Sequence, residues 1–410
     1  MDDGTEGRGV LRRRVGRRAL LRAGVAAAGT AAAFGALSCS PNRGEAPVAA
    51  SAAAPASAAA PAPAAPSTAA QADNAAWDAL VAAAQAEGRL VISGSPNADT
   101  RNAIPRAFRE RFGIEMEYLA GASSDLAARL QSERAASQYT IDACIGGANT
   151  MYGTFVANDW MQPLRSQLIL PEVTEDRYWR AGKLWFMDPD GDKVLRLLNY
   201  VDRPVTLNTH AVPRAQVPTI EALLDPRFKG RIAAYDPTTN GQGLPSAAII
   251  YRAKGEDFWV RLYKGQDVAL SRDARQLADD LAREKYAATI GVGWAYVYEL
   301  TKDGFELDDL DFPDVPTPIA AGFGLIAMFR DAPHPKAAQL FVNWIASKDG
   351  AAVLAHAEKS ISTRADVPPV DTRDNEIPQP GVEYFDRYGW DYITQQENPL
   401  RVRFQELLKA

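Results

Sequence analysis

Four times along this chain a short apolar run gives way to a loop of small polar residues, and then to residues that read as a helix. That repeated alternation limits the fold more than any other feature. "RLVISG" (89–94) comes first, followed by "PNADTRNAIPRAFRERFG", in which Ile104, Phe108 and Phe112 recur on one helical face. "IEMEYLAG" leads to "SSDLAARLQSERAAS", with Ser123 or Ser124 as N-cap and Asp125 in the first turn, where it suits the helix dipole. "YTIDACIGG" leads to "ANTMYGTFVANDW", and much later "RIAAYDP" leads to "TTNGQGLPSAAIIYRAKG". Strand, loop and helix in this order predict an α/β fold of parallel sheets covered by helices. At 410 residues the chain is long enough for two domains, since single cores stop growing near ~250–300 residues.

In open sheets of this kind ligands collect outside the carboxyl ends of the strands. Each of the four strands ends in residues suited to such a place: Ser95 and Asn97, Ser123 and Ser124, Gly147 and Asn149, then Thr238, Thr239, Asn240 and Gly241. Helix N-termini present unpaired N–H groups and partial positive charge, so several aimed at one point would hold an anion. The same residue types are also good N-caps, and capping accounts for any one loop by itself.

A further stretch, "IGVGWAYVYELTKDG" (290–304), ends a Gly-rich apolar run in Trp294, Tyr296 and Tyr298. If the chain is helical after Gly293, Trp294, Val297 and Tyr298 form one stripe, and Tyr296 and Tyr298 stand ~200° apart. If it stays extended, the two tyrosines share a face. Between the third and fourth units, "DPDGD" reads as a hairpin turn, because its glycine is misplaced for a calcium loop and Asn199 stands where a bidentate Glu is needed. The Pro-containing segment from Asp202 to Leu207 is extended, as a connection between lobes would be.

The first 38 residues belong to no core. An Arg-rich start, an uncharged Ala/Gly run from Ala23 to Ser38 and then Cys39 have the layout of an export signal, too short and weakly apolar for a membrane span. "GRRALLR" resembles a twin-arginine signal with Arg17 and Arg18 as the pair, although Gly16 replaces the usual Ser or Thr. "ALSC" resembles a lipoprotein box, which implies acylation of Cys39; it departs from the pattern in having Ala36 where the apolar residue belongs. Residues 39–72, Ala/Pro/Ser-rich and poor in apolar bulk, read as an extended tether. The only other cysteine is Cys144, read as a buried thiol, so lipidation of Cys39 leaves no intramolecular disulfide. Residues 1–38 hold seven Arg against three acids, so the formal −6 of the chain becomes −10 for the remainder, 38 basic against 48 acidic. Such a body is a poor match for nucleic acid or anionic headgroups.

Three blocks, "TIEALLDPRFKGRIAAYDPTTNGQG", "RDARQLADDLAREKYAATIGVGWAYVYELTKDG" and "DAPHPKAAQLFVNWIASKDGAAVLA", resemble the extracellular solute-binding proteins of ABC importers, in particular the ferric-binding-like branch. The resemblance spans roughly residues 75–365. It implies a two-lobed periplasmic-binding-protein-like fold of type II with crossover hinge strands, closing on a solute between the lobes. Lobe one would be 73–202 and 314–365, and lobe two 203–313 and 366–410. In the ferric binders the block matching "IGVGWAYVYEL" carries two adjacent tyrosines as iron ligands. Here Tyr296 and Tyr298 alternate with other residues, and the family's His and Glu ligands have no counterpart around Ser95 and Asn97 or Ser123 and Ser124. A small organic anion, with Trp294 and a tyrosine as walls, is therefore the favoured solute, with ferric iron on Tyr296 and Tyr298 as the alternative. Cationic or zwitterionic solutes such as polyamines or thiamine-like rings are also open, since aromatic walls suit a cation too. No cofactor is expected. The partners implied are a membrane ABC permease and the solute, the expected place is the periplasm or the outer face of the cytoplasmic membrane, and a monomer is expected.

An enzyme would need a nucleophile, base or metal set. His210, His334 and His356 are the only histidines, and none stands in a Walker, H-E-x-x-H, C-x-x-C or G-x-S-x-G pattern. The expectation is a binding protein, with an exported enzyme or a surface sensor on the same fold as the readings of another class.

Overall fold

The computed structural model describes residues 68–409 apart from 122, 240 and 371. The signal-like segment and Cys39 lie outside the described residues. The tether ends earlier than expected: Thr68–Glu87 is one helix, because an Ala-rich run without Pro or Gly has high helix propensity.

Along the chain the strands are β1 (Arg89–Gly94), β2 (Glu115–Ala120), β3 (Ala143–Gly146), β4 (Leu195–Arg196), β5 (Tyr200–Val201), β6 (Val205–Asn208), β7 (Ile232–Tyr235), β8 (Ala269–Ser271), β9 (Ala288–Ile290), β10 (Leu307–Asp309), β11 (Pro318–Ala320), β12 (Leu325–Met328) and β13 (Phe385–Asp386). They form a five-stranded sheet in the order β2-β1-β3-β12-β4, another in the order β10-β6-β9-β7-β8, and a three-stranded sheet β13-β11-β5. The two larger sheets share a plan. β1 lies between β2 and β3, parallel to both, as β7 lies between β8 and β9, and an antiparallel strand follows on the β3 or β9 side. The parallel pairs are joined through helices, as parallel strands require.

The first crossover shows why these residues fold this way. Asn97 caps the helix Ala98–Phe112, its Oδ1 accepting from the Asp99 N–H at 3.0 Å, and Gly113, in left-handed conformation at φ 70°, ends it. Ile104, Phe108 and Phe112 are buried, as their spacing predicts, and the Phe108 ring lies 5.8 Å from Phe341 and 5.4 Å from Trp344. In the second sheet's core, Trp259 stacks on Phe404 at 4.4 Å, so the C-terminal helix Asn398–Lys409 docks there. The "DPDGD" turn closes as expected, with the Met187 N–H donating to Val194 O at 2.8 Å and the Asp188 carboxylate accepting from the Lys193 and Val194 N–H groups. Cys144 is buried, which pushes its thiol up to about 12.

The chain leaves the first sheet through β4, passes through β5 and enters the second at β6; it returns from β10 through β11 to β12. β5 and β11 pair antiparallel, and β13 adds to β11 in parallel. Two ion pairs fix this crossing: the fully buried Arg196 donates to Asp386 at 3.0 Å, and Arg387 lies 3.0 Å from Asp202. Among the described residues no helix is long and apolar enough to cross a membrane.

Phe108→Ala should destabilise the chain by about 3–5 kcal/mol, the usual cost of emptying a buried aromatic position. Urea denaturation followed by tryptophan fluorescence reads this directly, and a loss under about 1 kcal/mol would show that the aromatic cluster closes over the void.

Candidate functional site

The carboxyl ends of β1, β3, β7 and β9 frame three cavities that share Gln242 and Phe323 as lining residues, so they adjoin. The largest, about 1440 Å³ including its open mouth, is bounded by Ser95, Asn97, Gly241 and Tyr296, with Arg275 and Glu358 among its charged groups. A second, of about 610 Å³, lies between the turn after β3 and the C-terminal segment, with Gly147, Asn149, Tyr200, Arg387 and Glu397 on its walls. A third, of about 470 Å³, is lined by Trp294.

Glycine makes the convergence possible. A Cβ on Gly243 would collide with the Tyr235 carbonyl at the end of β7. At Gly291, φ is 74° and a Cβ would lie 2.9 Å from the Gln242 carbonyl oxygen. The loops after β7 and β9 therefore touch backbone to backbone and carry Gln242 to the meeting point of all three cavities.

Of the sequence-predicted residues, Ser95, Asn97, Gly147, Asn149, Gly241, Trp294 and Tyr296 line these cavities. Ser95 and Asn97 spend hydrogen bonds on the protein itself: Ser95 Oγ accepts from the Asn97 N–H within the loop at 3.2 Å, and Asn97 Nδ2 donates to Ala357 O, at the end of the helix Lys348–Ala357, at 3.1 Å. Ser123 begins the helix Ser123–Ala135, which Ser124 continues, but the side chains of both lie outside the described residues, as does Asn240.

Thr238 and Thr239 line none of these cavities. The Thr238 hydroxyl donates to the Asp236 carboxylate at 2.6 Å and that of Thr239 to Asp236 O at 3.1 Å, so both secure the turn after β7. The segment Trp294–Lys302 is helical, which settles the choice left open by its sequence. Val297 is fully buried, and Tyr298 packs edge-on against Trp294 at 5.8 Å with the Lys302 ammonium 4.1 Å from its ring. Tyr296 alone of the two tyrosines lines the cleft. The conditional pairing of Tyr296 and Tyr298 as metal ligands thus fails on helix geometry, since positions two apart diverge. Burial, with Glu358 and Tyr235 nearby, raises the Tyr296 pKa and favours the neutral phenol over a phenolate.

The C-terminal segment supplies what the sequence reading missed. The Arg373 guanidinium lies 3.4 Å over the Trp294 ring and also meets Asp309 and Glu376. Arg387 is 3 % exposed and Glu397 wholly buried. Burial works against the Arg387 charge, yet Asp202, Tyr388, Tyr200 and Glu397 together raise its pKa. Burial pushes Glu397 up to about 7, opposed by Arg387 and Asn149, and neither of its oxygens meets a donor at hydrogen-bond geometry. An Arg inside the aromatic run "YFDRYGWDY" was the one available signal for this cluster.

This carboxyl should write itself into the stability profile. Glu397 holds its proton up to about 7 when folded, against an ordinary 4.5, so the folded state binds the proton more tightly between those values. Its contribution is present in acid and is lost as pH rises through that window. Relative to wild type, Glu397→Gln should gain up to about 3 kcal/mol between about pH 4.5 and about pH 8. Denaturant melts across this range measure the difference, and a constant offset would mean that Glu397 titrates normally.

The model for the family described as bacterial extracellular solute-binding protein matches residues 103–379. An uncharacterized protein of Haemophilus influenzae is 25 % identical over 282 residues, 66 % of this chain and 77 % of that protein. Among solved structures, the periplasmic binding protein AfuA from Actinobacillus pleuropneumoniae, with exogenous fructose-6-phosphate bound, superposes with a TM-score of 0.62 at 16 % identity, over 79 % of this chain and all of AfuA. Iron-bound HitA from Pseudomonas aeruginosa gives a TM-score of 0.57 at 16 % identity, over 78 % of this chain and 98 % of HitA. At such identities the likeness is one of fold, and it is the periplasmic-binding-protein fold of type II. The family match covers well over half of the sequence, and the chain belongs to the bacterial extracellular solute-binding proteins.

Proposed function

We propose that this chain is the solute-binding component of an ABC importer, capturing a small organic anion between two lobes and delivering it to a membrane permease. One observation carries the choice of an anion: Arg387, a buried cation on the cavity wall, has an Nε with no acceptor among the described residues. Burying a guanidinium is costly unless its donors are satisfied, so an acidic solute group would complete the site. The lobes of this reading are 73–202 with 314–365, and 203–313 with 366–410. The last segment reaches both, since Phe404 packs in the second sheet's core while Tyr388, Tyr392 and Ile393 pack with Val91 and Cys144 from the first. Solute binding favours the closed arrangement by its higher affinity for closed over open, and the permease reads the closed surface.

The activity is carriage rather than catalysis, and the protein works outside the cytoplasmic membrane as a monomer. Acyl chains on Cys39 and the tether after it keep the binding unit near the permease and raise its effective concentration there. Ferric iron is the second reading of the fold; it asks for a set of anionic oxygen ligands, and Tyr296 contributes one phenol where two phenolates were expected.

Native mass spectrometry of the exported protein, followed by denaturation, should release one organic anion per chain, and Arg387→Gln should weaken its rebinding about 10- to 100-fold. Iron at one per chain, lost in Tyr296→Phe, would replace the anion reading. For the anchor, Cys39→Ala should move the protein from the membrane fraction to the soluble fraction with binding intact, and a variant still sedimenting with membranes would refute lipidation.

A further inference from the structure

The cavity beside the C-terminal segment holds a buried carboxyl outside any ion pair among the described residues. Arg196 is matched by Asp386 and Arg387 by Asp202, each at 3.0 Å, whereas Glu397 forms no ion pair among the described residues and feels Arg387 only through space. Glu397 is wholly buried and lines the cavity; neither of its oxygens meets a donor at full hydrogen-bond geometry, Asn149 being the side chain near enough to act on it. On the same cavity Arg387 leaves its Nε without an acceptor among the described residues. Two buried groups of opposite type on one cavity, about 610 Å³ including its open mouth, ask for one molecule with complementary ends. We infer that the solute is a small amino acid-like zwitterion, whose ammonium donates to Glu397 while its acidic group accepts from Arg387. This rests on the anion reading above and narrows it. A hydroxyl could also donate to Glu397, but only a cation neutralises a buried carboxylate as well as bonding it. The raised pKa of Glu397 agrees with this, since a carboxyl waiting for a cation in a dry site is held neutral until the cation arrives. The other titratable groups around it are Arg387, Tyr200, Tyr388 and Tyr392, and burial raises all three tyrosines, so none titrates near neutrality.

Isothermal titration of the full chain with two matched sets tests the inference: propionate, lactate and alanine, then ethyl phosphate, ethylene glycol monophosphate and phosphoethanolamine. The amine-bearing member should bind about 10- to 100-fold more tightly than its partners in at least one set, and Glu397→Gln should remove the preference. Should that variant fold poorly, wild type carries the same test in buffers of different ionisation enthalpy. Near neutral pH the amine should release a proton from Glu397 on binding, and the hydroxyl analogue should not. Hydroxyl and amine members binding alike would overturn the zwitterion and leave the anion reading standing. Binding by no member of either set, or binding indifferent to Arg387→Gln, would overturn both.

Discussion

Everything in this molecule hangs on a crossing made of very little backbone. Two short strands, Tyr200–Val201 and Pro318–Ala320, carry the chain out of one five-stranded sheet and back from the other, and they pair with each other and with Phe385–Asp386. So few ladder bonds make a marginal sheet. The buried guanidinium of Arg196 reinforces it, donating to Leu198 O and to Asp386 and lying 4.3 Å over the Trp185 ring. Removing either partner would strand a buried charge, which is how an ion pair contributing little net stability can still dictate one arrangement. A narrow crossing with strong side-chain ties permits relative motion of the flanking bodies while keeping the strand ends facing one another.

The cleft divides its labour between backbone loops and the C-terminal segment. The loops after β1 and β7 are occupied in holding themselves: Asn97 caps its helix, Ser95 accepts from Asn97, and Asp236 gathers Thr238 and Arg272. These residues shape the walls but have little bonding capacity to spare. Around the three cavities, Thr150, Gln242, Trp294, Ser360, Arg387 and Glu397 each have a buried polar atom that lacks a partner among the described residues. Buried polar groups in native proteins are almost always satisfied, so exceptions on adjoining cavities are the groups with bonds left to give. Arg387 and Glu397 fall beyond residue 379, where the family match ends.

How much of this was legible beforehand differs by level. The alternation of apolar runs and helical spacing identified the α/β class, and Ile104, Phe108 and Phe112 face the core as their period requires. Local rules found the loops at the strand ends as well, because small polar residues before a helix are a chemical necessity whatever else they do. The same rules over-assigned Thr238 and Thr239, since a hydroxyl that caps a turn looks identical in sequence to one that meets a solute. They could not choose between helix and strand for "WAYVYEL" either, where both periods gave an amphipathic pattern.

Only the tertiary structure decided which side chains were left with unspent hydrogen bonds. Arg387 and Glu397 are 10 positions apart on a segment with no motif, and nothing local says that one will lie against Asp202 or that the other will be buried without a donor. Periodicity and capping depend on neighbours within a few residues, and these the sequence records; the fold class and the strand-end loops follow from them. Desolvation and charge balance depend on groups brought together from distant parts of the chain, so the character of the solute site exists only once the sheets and the C-terminal segment have met.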